Sequence, residues 1–341
     1  MSLDADVLVA GAGPVGLFTA IRASLAGLRV AVLEPRPGPI DKACGEGLMP
    51  GAVAALASIG VTPEGQPIRG FRYTDGTRSV EHRLRGAGGL GVRRTVLSDT
   101  LAARAADLGV RIVPARVESV EQTEDSVTAG GLRGSWLVAC DGLHSAVRRL
   151  TGLEADKRSG ARFGLRRHFR VAPWTDLVEV HWGRSVEAYV TPVGPRLVGV
   201  AILGPRHTGF EAALSQVPEL AGHLARAVPD GPVRGAGPLR QNSRARTAGR
   251  VLLAGDASGY VDALTGEGMR VGFAQGDAAV EAVLAGDPAR YEREWASRTR
   301  DFRTITGALV AAATSPVRRA IVPAASALPF LYGGIIERLA R

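Results

Sequence analysis

The chemistry open to this chain lies at the ends of three apolar runs. Asp6-Val7-Leu8-Val9-Ala10 leads directly into Gly11-Ala12-Gly13-Pro14-Val15-Gly16. Ser135-Trp136-Leu137-Val138-Ala139 ends in Cys140-Asp141-Gly142, with His144, Ser145 and Arg148 behind it. Arg250-Val251-Leu252-Leu253 ends in Ala254-Gly255-Asp256. A glycine turn or an acid at the end of a buried strand is a ligand position at the carboxyl edge of a parallel sheet. Two further groups carry reactive side chains. Cys44-Gly45-Glu46-Gly47 puts a thiol and a carboxylate in a glycine-punctuated loop, and Arg166, His168 and Arg170 alternate along one stretch.

The first run is followed by Leu17, Ala20, Ile21, Ser24 and Leu25 at helical spacing, then Gly27, then Arg29 to Leu33 and Glu34. Strand, glycine turn, helix, strand and acid in this register predict a βαβ unit that binds a dinucleotide. Its glycines permit a tight turn, backbone approach to a pyrophosphate and close helix–sheet packing. The helix start offers unpaired N–H groups and partial positive charge to the phosphates, and Pro14 in its first turn removes no needed donor. Glu34 follows at about the 20-residue distance of an acid that holds ribose hydroxyls. The unit by itself does not distinguish NAD from FAD.

The 341 residues allow two domains or one large α/β unit with an insert, and 45% hydrophobic content supplies a sizeable core. The net charge of +9 is spread through scattered arginines, without a block of like charge, so a solvated surface is expected and nucleic acid is not. Some of these arginines should meet phosphates or an acidic ligand. The two cysteines form no paired framework, which points to a reducing, cytoplasmic compartment. The N-terminus has no basic signal region, no apolar run reaches the roughly 18 residues of a membrane span, and the six histidines show no metal spacing. A monomer or homodimer is expected.

Glycine-punctuated alternation over 66–85 reads as strands, 96–108 as a helix, and 116–132 as a β-meander. From residue 161 to 203 alternation dominates and predicts an antiparallel sheet, hence a second domain. Phe210 to Ala227 carries helical period, as do Met269 to Leu284 and the polar stretch Tyr291 to Thr306. The apolar tail from Gly307 is broken by Pro316, Pro323 and Pro329, and packing over the core or a substrate mouth is favoured over an interfacial membrane helix.

In this order and separation, Gly11-x-Gly13-x-x-Gly16, Cys140-Asp141-Gly142-x-x-Ser145-x-x-Arg148 and Ala254-Gly255-Asp256-Ala257-Ser258 resemble the FAD fingerprint of class A flavoprotein monooxygenases and of the related geranylgeranyl-type reductases and halogenases. The resemblance covers most of residues 1 to 300. It implies an α/β fold: a Rossmann-like FAD-binding domain of glutathione-reductase type (1–65, 90–158 and 241–306). An antiparallel β-sheet substrate domain (66–89 and 159–240) is inserted in it, and a helical tail (307–341) follows. Gly11, Gly13 and Gly16, with Pro14 and Val15, would wrap the FAD pyrophosphate. Glu34, with Arg36 beside it, would hold the adenosine ribose, and Arg94 would contact the cofactor. Asp141 would bond main-chain groups near the pyrophosphate, and Gly255 and Asp256 would meet the ribityl chain. Gly266, Gly268 and Met269 would pass the flavin's pyrimidine edge, where helix N–H groups stabilise negative charge. Cys44 and Gly45 would lie near the isoalloxazine.

The resemblance also implies transient NAD(P)H, a flavin C4a-hydroperoxide, and hydroxylation of an aromatic or polyketide-like molecule. The alternative is an FAD-dependent reductase of carbon–carbon double bonds in a lipidic substrate; electron transfer to a partner protein comes third. The four tryptophans are never two apart, which disfavours halogenation. Tyr189-Val190-Thr191-Pro192 keeps little of the prenyl-reductase strand motif. Cys44, Glu46, Arg166 and His168 are the candidate catalytic residues. Cys44 is otherwise a small buried thiol and Glu46 a loop cap. The simpler reading of Arg166, His168 and Arg170 is a charged strand facing solvent, and of Arg148 a helix-surface cation.

Overall fold

The computed structural model describes residues 2–155 and 162–340; the boundary expected between residues 158 and 159 lies outside them. Ala5–Ala10 is flanked in parallel by Leu132–Ala139 and Val30–Leu33. Val251–Leu253 and Arg111–Val113 extend the sheet on either side, also in parallel. The three apolar runs are therefore neighbouring strands whose carboxyl ends lie side by side. Their unbroken Val, Leu and Ala runs suit a sheet covered on both faces. On one face the helices Pro14–Leu25 and Gly268–Ala285 meet closely: a Cβ on Gly272 would stand 2.4 Å from Val15, and one on Gly276 2.5 Å from Thr19. Phe18 stacks on Phe273 at 4.6 Å.

A second sheet has seven strands among the described residues, in the spatial order Val228–Ala236, Phe163–Arg170, Leu197–Gly204, Glu187–Gly194, Leu177–Trp182, Gly70–Thr74 and Ser79–Arg83. It is mixed where an antiparallel sheet was expected. Leu177–Trp182 pairs in parallel with Gly70–Thr74, because these strands come from separate excursions of the chain rather than from one hairpin. A small sheet of Gly47–Leu48, Gly89–Gly91 and Gln66–Ile68 lies against it. A Cβ on Gly91 would stand 1.7 Å from the Pro192 carbonyl oxygen.

Two helical expectations change. Phe210 to Ala227 is two short helices, Phe210–Leu214 and Pro218–Leu224, because Pro218 can start a helix but not continue one. The polar helix is longer than its pattern, running from Pro288 to Ala313, with Tyr291 and Trp295 buried. The tail then folds back as Ile321–Ala327 and Pro329–Ala340 over the strand Ser79–Arg83. Tyr332 meets Tyr73 edge-on at 5.0 Å, and Glu337 pairs with His82 at 2.9 Å. No single helix among the described residues is long and apolar enough to cross a membrane; the tail pair is bent by 101°.

Candidate functional site

The glycine turn is held by contact as well as by conformation. Gly11 has φ +98°, and a Cβ on it would stand 2.7 Å from the Cys140 carbonyl oxygen. A Cβ on Gly16 would stand 1.9 Å from the Gly11 carbonyl oxygen. Gly13 caps the helix Pro14–Leu25 without a side-chain hydrogen bond, so the first N–H groups stay free. A cavity of about 650 Å³ opens here, lined at this end by Gly13, Pro14 and Val15. It runs past Asp141, Gly255 and Asp256 to Gly266, Gly268 and Met269 at the start of the helix Gly268–Ala285. Cys44, Gly45, Glu46 and Arg94 complete that wall.

Glu34 and Arg36 stand off the cavity wall, paired with each other. Glu34 Oε1 accepts from the Arg36 amide at 3.2 Å and from its Nε at 2.7 Å. Oε2 accepts from the Ala12 amide at 3.0 Å and from Arg36 Nη2 at 2.9 Å. Burial raises the Glu34 pKa, but Arg36 and these N–H groups outweigh it and hold the carboxyl below its usual range. Protein donors thus fill about all four acceptor sites of the carboxylate. A ribose hydroxyl there must displace part of Arg36.

Asp141 Oδ2 accepts from the amides of Ala146 at 2.7 Å and Val147 at 3.1 Å, capping the short helix Ala146–Leu150. Its other oxygen, Oδ1, is buried without a partner, and so is Arg94 Nε. Asp256 is raised by burial, against the pull of Lys42, Arg94 and Arg148. Lys42 also lines the cavity and is a residue that the sequence reading passed over. Burial lowers its pKa, as do the neighbouring Arg36 and Arg94 cations. Its signal was a cation two residues before Cys44 in a loop already marked by glycines. Lys42, Arg94 and a free helix N-terminus line one end of the cavity and could hold an anion there. Buried polar atoms left over on the same wall fit a long phosphorylated guest with polar groups along its length, which is the shape and chemistry of FAD.

The Cys44 thiol is pushed up by burial, opposed in part by Arg94, so it faces the cavity as a neutral thiol. Arg166 and His168 face neither cavity nor solvent. They are 3% and 1% exposed, packed against Asp41 and Glu46. The solvent-facing reading holds for Arg170, which pairs with Asp230 at 2.9 Å. Arg148 is no surface cation. It is 1% exposed, and its guanidinium donates to the carbonyls of Leu143, Asp256 and Ala257 and to Gln241 Oε1.

Beyond the loops the cavity turns apolar, walled by Ile68, Phe71, Tyr73, Val178, Val180 and Leu203 of the second sheet and its neighbours. Ile336 and Leu339 of the tail close it. The charged residues that line the cavity, Lys42, Glu46, Arg94, Asp141 and Asp256, lie in loops and at helix starts, and none is on a strand of the second sheet.

A parallel sheet that offers a glycine turn and two acids to one cleft, with a second sheet roofing its far end, defines a flavin-nucleotide-binding protein. The chain belongs to the family described as FAD binding domain, whose model matches residues 4–281, and with it to the FAD-dependent oxidoreductases. It is 30% identical over 306 residues to dialkyldecalin synthase of Streptomyces rugosporus, across 78% of this chain and 62% of that protein. It is 29% identical over 330 residues to menaquinone reductase of Mycolicibacterium smegmatis, across 86% of this chain and 80% of that one. Its fold is like that of p-nitrophenol 4-monooxygenase PnpA from Pseudomonas putida, with TM-score 0.82, 20% identity, and 100% and 97% of the two chains covered.

Proposed function

We propose that this protein is an FAD-dependent monooxygenase that uses NAD(P)H and oxygen to hydroxylate a neutral, largely apolar aromatic or polyketide-like molecule. The observation that carries the reading is the division of the cavity. Its charged groups gather where a nucleotide would lie, and its far end is apolar. An uncharged ring system suits that end, whereas a carboxylate there would stay unpaired at a cost of several kcal/mol.

Gly13, Pro14 and Val15 with Lys42 and Arg94 would hold the FAD pyrophosphate, and Asp256 its ribityl chain. Bound FAD supplies two-electron redox chemistry. The N–H groups of the first turn of the helix Gly268–Ala285 favour negative charge at the flavin's pyrimidine edge. The tail helix Pro329–Ala340, through Ile336 and Leu339, keeps water from the substrate end, which is what the protein must contribute when a cofactor carries the chemistry. The division we propose is an FAD part (1–65, 90–158, 241–306), a substrate part (66–89, 159–240) and a closing tail.

The second reading is reduction of carbon–carbon double bonds in a lipidic substrate, supported by the likeness to a menaquinone reductase across most of both chains. Turnover of purified, FAD-loaded protein with NAD(P)H separates the two. Oxygen uptake that rises with a neutral polycyclic phenol and yields hydroxylated product supports the first. Product formed from an isoprenoid quinone under argon replaces it with the second.

A further inference from the structure

The apolar end of the cavity carries a hydroxyl that the protein itself leaves unbonded. Among the described residues, Tyr73, Tyr189, Thr191, Tyr260 and Thr265 bring hydroxyl side chains to the cavity wall. Three of them are bonded within the protein. Tyr189 donates to the Leu264 carbonyl at 2.7 Å, Thr191 donates to the Gly45 carbonyl at 2.8 Å, and Thr265 Oγ1 pairs with Thr306 Oγ1 at 2.8 Å. Tyr260 lies on the nucleotide side, where a Cβ on Gly268 would stand 3.4 Å from its hydroxyl oxygen. Tyr73 remains. Its hydroxyl has no hydrogen-bond partner among the described residues, yet its oxygen is not one of those sealed in protein. Tyr73 is 8% exposed and lines the cavity, so the open side of that oxygen is the cavity side. The unpaired donors behind it, Tyr332 Oη and Trp182 Nε1, belong to residues off the wall.

Strand geometry puts the phenol there. Phe71 and Tyr73 alternate onto one face of Gly70–Thr74, and Val178 and Val180 stand across from them on Leu177–Trp182. All four line the cavity. The ring packs on Trp182 at 5.7 Å and meets Tyr332 edge-on. These contacts hold the C–O axis, and only the hydrogen turns. Burial raises the Tyr73 pKa and the nearby Glu187 carboxylate adds to the effect, so the group stays a neutral phenol. Glu187 is itself taken by Arg162 and Arg318. A neutral phenol donates one hydrogen bond and can also accept.

We infer that the Tyr73 hydroxyl binds one uncharged oxygen of the substrate, a ketone or hydroxyl on an otherwise apolar ring frame, and so sets which way round that frame lies. This deepens the proposed function and rests on its reading of the far end as the substrate site. Tyr73 is a specificity-determining residue. A ring molecule without that oxygen fills the same apolar space but leaves the phenol unpaired. A molecule turned the other way strands its oxygen among Phe71, Val178 and Val180, where no side chain can bond it.

Calorimetric titration of FAD-loaded protein with α-tetralone and with tetralin, one two-ring frame with and without a ketone, tests the anchor. We expect Tyr73→Phe to weaken α-tetralone by about threefold to tenfold and to leave tetralin within about twofold. A purely structural role for Tyr73 moves both ligands alike, so equal weakening overturns the inference, and so does unchanged α-tetralone binding. The infrared ketone stretch of bound carbonyl-¹³C α-tetralone reads the bond directly. In wild type it should lie below its position in cyclohexane, and in Tyr73→Phe it should return to that position. A wild-type band at the cyclohexane position overturns the inference even where the variant fails to hold FAD. A band that stays low in Tyr73→Phe assigns the bond to another donor and overturns it too. Wild-type protein that binds neither ligand overturns it together with the reading of the far end as a ring site. Ketone-selective binding in a protein without NAD(P)H-dependent turnover removes the oxygenase reading and leaves the anchor standing.

Discussion

Arg148 and Ala257 are joined inside the protein by a hydrogen bond of 3.0 Å from guanidinium Nη1 to the main-chain carbonyl. The two residues follow two different strands of the parallel sheet, so this bond ties the Asp141 turn to the Asp256 turn. Arg148 Nη2 secures the arrangement by donating to the Leu143 carbonyl at 2.9 Å and to Gln241 Oε1 at 3.0 Å.

Arg148→Met should therefore damage both turns at once. Several buried acceptors lose their donors together, and the expected loss is on the order of 2–4 kcal/mol in urea unfolding, with lower FAD content in the purified protein. A variant of unchanged stability and FAD content would show that the turns hold themselves.

The glycine turn leaves no room for a side chain at Gly16. A methyl group there meets the Gly11 carbonyl oxygen at 1.9 Å, and main chain cannot swing aside as a side-chain tip can. Gly16→Ala should weaken FAD binding by about tenfold or more, roughly 1.4 kcal/mol, in a fluorescence titration. Wild-type affinity in that variant would place the phosphates elsewhere.

On the second sheet, Glu179 is 2% exposed. Burial opposes its charge, but hydrogen bonds from His181, Arg72 and Trp174 prevail and hold the carboxyl at about 2, against an ordinary 4.5. A carboxylate with a depressed folded pKa stabilises the fold fully above its unfolded pKa, and that contribution is lost as pH falls through the folded value. The melting temperature of wild type should drop as pH falls from 4.5 towards 2. Glu179→Gln should start lower at neutral pH and drop less over the same interval. Parallel curves would acquit this carboxylate.

The tail is fitted to the second sheet at Gly333, where a Cβ would stand 2.5 Å from His82 Nδ1. His82 cannot yield freely, because Glu337 of the same helix holds its Nε2 at 2.9 Å. Gly333→Val should lift the helix Pro329–Ala340, cost about 1–3 kcal/mol, and take Ile336 and Leu339 from the cavity wall. Iodide should then quench flavin fluorescence more strongly while FAD content holds. Equal quenching in the two proteins would mean that the tail does not shield the flavin.

What the sequence determined by itself was the nucleotide side. Unbroken apolar runs that end in glycine or aspartate are short-range signals, and a parallel sheet is assembled from such runs. Asp6 to Glu34 could be placed before any contact was known, and Asp141 and Asp256 fell at strand ends as read. The tertiary structure decided the rest, because burial and pairing are set by residues far away in the chain. Period-two alternation showed that Arg166 and His168 share a face, but not that the loop of Asp41 and Glu46 covers it. Arg148 can be buried because acceptors about a hundred residues on, at Gln241 and Ala257, come to meet it. Glu34 stands where an acid was expected, yet Arg36 and Ala12 already fill its oxygens, a matter of three-dimensional bond counting that residue spacing cannot express.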